Sequence, residues 1–105
     1  RDSEDWRLAL VDYLRGNRDR VEEFVSRTDG LSMPHVEATY LAWIDCRKLS
    51  VENPARFFEE AGVGLSDGRD FGSAGFVRLN FGCSRSLLAE ALGRMDEAIS
   101  RRLPL

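Results

Sequence analysis

At 105 residues, with 43% hydrophobic and 31% charged residues, the chain has the length of one domain with a modest core and an ordinary globular composition. A formal net charge of -3, with the bases scattered, excludes a nucleic-acid or acidic-membrane surface as the main partner. No apolar run approaches the roughly 20 residues of a membrane span, and the start Arg1-Asp2-Ser3-Glu4-Asp5 is unlike a signal peptide, so a cytoplasmic protein is expected.

Ser3 suits the cap of a first helix, with Glu4 and Asp5 where the helix dipole favours acids. Trp6, Leu10, Tyr13, Leu14, Val21, Phe24 and Val25 then recur at helical spacing, an apolar stripe that predicts a helix to about Arg27. Gly16-Asn17 interrupts the stripe and predicts a bend or break, and Asp29-Gly30 a stop. Thr39, Tyr40, Trp43 and Ile44 are strand formers, and both alternating faces from Ala38 to Ile44 are largely apolar, which predicts a strand covered on both sides. Asn53-Pro54 opens a short helix that carries Phe57, Phe58 and Ala61 inward and ends at Gly62.

Val63-Gly64-Leu65 reads as a short strand before the turn Ser66-Asp67-Gly68 and a glycine-rich stretch to Gly75. Phe76 to Phe81 reads as a further buried strand. Ser84 or Ser86 then caps a long helix with Leu87, Leu88, Ala91, Leu92, Met95, Ala98 and Ile99 inward, and Arg101 and Arg102 at its negative end. The order predicts an α+β domain spanning residues 1–105, a small sheet covered by helices.

Few residues offer chemistry. Asp70-Phe71-Gly72 matches the magnesium triplet of protein kinases, but the rest of that machinery is missing. Gly68, Gly72 and Gly75 suit turns better than a phosphate cradle, since no Gly-Lys-Ser/Thr accompanies them. Cys46 and Cys83 read as reduced structural thiols, and His35 after Pro34 as a loop residue. One histidine and two cysteines give no zinc spacing, so no metal is expected. Lys48 is the single lysine.

Arg78 stands apart. Alternation in Phe76-Val77-Arg78-Leu79-Asn80-Phe81 sets Val77, Leu79 and Phe81 on one face and Phe76, Arg78 and Asn80 on the other. A guanidinium in such a strand needs a partner, because an uncompensated buried charge costs several kcal/mol. That partner is either an internal carboxylate such as Asp45 or the carboxylate of a ligand, which the planar fork grips bidentately.

Ala38-Thr39-Tyr40-Leu41-Ala42-Trp43-Ile44-Asp45, Phe71-Gly72 to Gly75, Phe76-Val77-Arg78-Leu79-Asn80 and Cys83-x-Arg85 together resemble the cystathionine β-lyase-like C–S lyases, of the class I/II aminotransferase fold and fold type I. Trp6 with Tyr13-Leu14-x-Gly16-Asn17 resembles the helix leading into that family's small domain, so the likeness runs from about Trp6 to Leu103. Val36 and Ser84 stand where proline is expected, and Cys46 where an aromatic residue is common. The resemblance implies the carboxy-terminal small domain of a larger homodimeric enzyme that holds pyridoxal 5'-phosphate mainly in its other, large domain. It implies a sulfur-containing amino-acid substrate undergoing α,β-elimination, with Arg78 on its α-carboxylate and Asn80 in support. Lys48, in Asp-Cys-Arg-Lys, does not match the Ser-x-x-Lys context of the cofactor lysine, so this chain alone is expected to be inactive, with no catalytic or cofactor-binding residue of its own. An aminotransferase would use the same arginine, and a free-standing α+β binding or regulatory module is the reading outside the family.

Overall fold

The computed structural model describes residues 2–37 and 39–102. Its main elements follow the expected order: α1 Asp2–Ser26, β1 Leu41–Asp45, α2 Pro54–Glu59, β2 Ser66–Asp67, β3 Phe76–Asn80 and α3 Arg85–Arg102. Ala38, named above in the first strand, and Leu103, the end of the resemblance, lie outside the described residues. Helix α1 already includes Asp2, so Ser3 falls within its first turn rather than at its cap.

The predicted break at Gly16-Asn17 does not occur, and α1 is continuous. Asn17 is fully buried. Its Nδ2 donates to the carbonyls of Phe81 and Cys83, each at 2.9 Å, and its Oδ1 accepts from Arg85 Nε at 3.0 Å. Arg85 Nη2 donates to the Tyr13 carbonyl at 2.8 Å, and the guanidinium lies 4.4 Å from the Tyr13 ring centroid. A Cβ on residue 16 would stand 2.6 Å from Arg85 Nη2, so Gly16 leaves room for that side chain. The dipeptide that propensity reads as a breaker is a latch between α1 and the β3–α3 loop.

The apolar stripe of α1 divides at this latch. Val21, Phe24 and Val25 are in the core, whereas Trp6 is 68%, Leu10 40% and Tyr13 39% exposed. The amino-terminal half of the helix therefore extends beyond the body of a molecule measuring 55 × 29 × 21 Å.

The sheet is antiparallel in the order β1-β3-β2. One face supplies Ala42, Ile44, Val77 and Leu79 to a core completed by α1, by Phe58 of α2, and by Leu88, Met95 and Ile99 of α3. The edge strand β1 was expected to be covered on both sides and the central strand β3 to be buried. Instead Leu41, Trp43, Asp45, Phe76 and Arg78 on the other face are only half-buried, and the described residues leave that face largely open. Aromatic and β-branched residues on both faces imitate a buried strand, but the helices cover one face only.

Asn53 Oδ1 accepts from the Arg56 amide at 3.2 Å and Pro54 takes the first position of α2, as the sequence predicts. The short strand lies at Ser66–Asp67, not at Val63-Gly64-Leu65, because the Val63 amide is drawn into closing α2 on the Phe58 carbonyl at 2.9 Å. Ser84 rather than Ser86 caps α3: its Oγ accepts from the Leu87 amide at 3.2 Å. Leu87, expected inward, is 56% exposed, while Leu88 carries the contact with the core.

Candidate functional site

The open face of the sheet brings Trp43, Arg78 and Ser66 into one row, since Arg78 on the central strand pairs in register with Trp43 on one side and Ser66 on the other. Arg78 Nη2 donates to Ser66 Oγ at 3.3 Å, a long bond. The guanidinium carbon lies 4.5 Å from the Phe71 ring centroid and 6.0 Å from that of Trp43. Those two rings meet edge to face, with centroids 5.5 Å apart at 87°. Among the described residues, Arg78 thus sits against an aromatic corner with one hydroxyl partner and most of its five N–H donors available.

Its expected internal partner is engaged elsewhere. Arg47 grips Asp45 through Nε to Oδ1 at 3.0 Å and Nη2 to Oδ2 at 2.8 Å, and the Arg47 amide adds a bond to Oδ1 at 3.0 Å. These bonds hold the Asp45 carboxyl below its ordinary range. On the other side of Arg78, Arg69 does the same to Asp67, with Nη2 to Oδ2 at 2.8 Å, Nε to Oδ2 at 3.0 Å and the amide to Oδ1 at 2.9 Å. The Asp67 carboxyl is lowered as well. Each neighbouring acid is neutralised by the arginine two residues on, and among the described residues no carboxylate forms an ion pair with Arg78. The internal-carboxylate reading of Arg78 is therefore corrected.

Asn80 lies on the same face, at the exposed end of β3. Its Oδ1 accepts from the Gly82 amide at 2.8 Å, so the carboxamide shapes the strand's exit. Ser66 and Phe71 were read as turn residues and not as members of the site. Phe71 reaches Arg78 because a 3-10 turn, Gly68–Phe71, folds over β3. At Gly68 an added Cβ would meet the Ser73 carbonyl oxygen at 2.2 Å and that of Phe76 at 2.6 Å. The glycine-rich stretch is thus turn geometry in the service of an aromatic contact, and Asp70-Phe71-Gly72 is part of that turn.

His35 is exposed, with Nδ1 3.0 Å from Glu22 Oε1. Cys46 is fully buried, and burial, with a further contribution from Asp45, pushes its thiol up to about 12. At pH 8 such a thiol is held in its protonated, unreactive form. Iodoacetamide at that pH is expected to label the half-exposed Cys83 and to reach Cys46 only after unfolding, as peptide mass spectrometry would show. Rapid native labelling of Cys46 would contradict its placement in the core.

No family model matches the chain. Among curated relatives, the cystathionine beta-lyase of Corynebacterium glutamicum is 34% identical over 103 aligned positions, which cover 93% of this chain and 27% of that protein. The crystal structure of OvoB superposes with a TM-score of 0.91 at 51% identity, covering 98% of this chain and 27% of that one. The pyridoxal-phosphate-bound C–S lyase of Staphylococcus hominis gives 0.85 at 27% identity, covering 97% and 29%. The chain spans about 30% of the length of the curated relatives it matches. With its three-stranded antiparallel sheet and helices on one face, it belongs, as a carboxy-terminal part, to the cystathionine β-lyase-like family of fold-type-I pyridoxal-phosphate proteins.

Proposed function

We propose that this chain is the small domain of a two-domain C–S lyase, and that it binds the α-carboxylate of a cysteine-type substrate through Arg78. The observation that supports the reading is a half-buried guanidinium on an open sheet face, with both adjacent acids already held by other arginines. Trp43 and Phe71 exclude water from parts of the guanidinium surface while its donor edge can meet a planar carboxylate. A carboxylate fixed there has one rotational freedom fewer, and this orients the bond at Cα for cleavage. Asn80 contributes by fixing the course of the chain where β3 leaves the site.

On this reading the seat of pyridoxal phosphate lies outside this chain. Lys48, the single lysine, is exposed in the short 3-10 turn that follows β1. The cofactor, which serves such enzymes as an electron sink, is assigned to the large domain of the same polypeptide, and catalysis to the assembled enzyme, a homodimer. An aminotransferase would hold its substrate in the same way. Release of pyruvate, ammonia and a thiol by the full-length enzyme separates elimination from amino-group transfer.

The isolated chain, incubated with pyridoxal phosphate and dialysed, is expected to retain no absorbance in the imine band and no lyase activity. Stable, stoichiometric binding at one site would overturn this division of labour and favour a free-standing module.

A further inference from the structure

We infer that Phe71 is a positioning residue: it fixes the plane of the Arg78 guanidinium so that its donor edge faces an incoming carboxylate. The inference rests on the carboxylate-binding reading of Arg78 and extends it to a residue that neither family resemblance nor periodicity assigned.

Phe71 is 51% exposed, so its ring lies at the surface beside the guanidinium rather than in the core. Its centroid is the nearest aromatic one to the guanidinium, at 4.5 Å against 6.0 Å for Trp43. The edge-to-face contact with Trp43 fixes the ring in turn. The turn that presents it is built with care. Gly68 permits close passage beneath Ser73 and Phe76, the Asp67 side chain accepts from the Arg69 amide at 2.9 Å, and Gly72 closes the turn at a φ of 82°.

Arg78 has a single long hydrogen bond to Ser66 among the described contacts, too little to hold a flexible side chain in one orientation. The aromatic face supplies the missing restraint, because the ring quadrupole attracts the cation at a defined height and leaves the N–H edge uncovered.

The test uses the full-length holoenzyme and calorimetric binding of L-alanine, an amino acid without a thiol to eliminate, with ethylamine as the counterpart lacking a carboxylate. Phe71→Leu keeps apolar bulk and removes the π face. It is expected to weaken L-alanine binding about 5- to 10-fold, the range of a partly desolvated cation–π contact, and to leave ethylamine binding unchanged. Phe71→Tyr is expected to restore parental affinity. Near-parental L-alanine affinity in Phe71→Leu, or equal weakening of ethylamine, overturns the positioning role. Arg78→Ala is measured in parallel. If it binds L-alanine poorly while Phe71→Leu binds normally, Arg78 keeps its role and Phe71 loses its own. If Arg78→Ala binds L-alanine as the parent does, or if the parent does not bind L-alanine, the carboxylate reading itself fails and the inference with it. Because Phe71 lies outside the core, the variants are expected to melt with the parent, and a large fall in melting temperature would assign it a structural role instead.

Discussion

Alanine at position 78 of the full-length enzyme is expected to lower kcat/KM for a cysteine-type substrate by about 30- to 1000-fold. That fall corresponds to about 2–4 kcal/mol, the loss expected when one partner of a desolvated, charge-assisted pair is removed. Arg78→Lys is expected to recover only part of it, since an ammonium cannot reproduce the two parallel bonds of the fork. Cofactor content should stay at the parental level in both variants if, as proposed, the groups that hold it belong to the other domain. Steady-state kinetics with the cofactor spectrum recorded alongside would decide the matter. Near-parental kcat/KM in Arg78→Ala would reduce the residue to a member of the aromatic corner, and loss of the fold without a substrate-specific effect would point the same way.

Asn17→Ala is expected to destabilise the protein by about 3 kcal/mol. The substitution leaves the carbonyls of Phe81 and Cys83 without their donors and Arg85 Nε without its acceptor, in a position with no access to water. In a domain of this size that amounts to roughly 15 °C in melting temperature, followed by circular dichroism. The sign discriminates between two accounts of Gly16-Asn17. If the dipeptide merely weakened a helix, alanine, the better helix former, would add about 0.5 kcal/mol of stability and raise the melting point. Arg15→Ala, on an exposed turn of the same helix, serves as the neutral comparison. A melting temperature at or above the parental value in Asn17→Ala would refute the latch.

Element order was legible from periodicity and caps, because Asn53-Pro54, Ser84 and the 3.6-residue stripe of α3 each encode a local decision that tertiary contacts did not reverse. Gly16-Asn17 misled for the opposite reason: its meaning lies in Phe81, Cys83 and Arg85, more than sixty residues away. No local propensity contains that information. Which face of the sheet stays open was likewise hidden, since Trp43 and Phe76 look no different from residues facing a core. Arg78 was recognisable as an anomaly in an apolar strand, yet its electrostatic surroundings were not. Asp45 was a reasonable partner by charge, and only the geometry of Arg47 removes it from consideration. Phe71 fell within a glycine-rich stretch whose three-dimensional course is set by close passage at Gly68, a constraint that becomes visible only once the strands are in place.

The two i, i+2 clamps, Asp45–Arg47 and Asp67–Arg69, also bear on encounter kinetics. A paired acid and base act at a distance as a dipole, whose field decays faster than that of a lone charge. The chain carries a net charge of -3, which by itself would repel an approaching anion. In the row Trp43–Arg78–Ser66 between the two clamps, however, the charged side chain is the cation at position 78, and an anion within the Debye length of about 8 Å at physiological ionic strength meets it first. The clamps thereby uncouple the local potential from the overall charge, so an anion diffusing along the open face is drawn towards the arginine even though the domain as a whole is acidic.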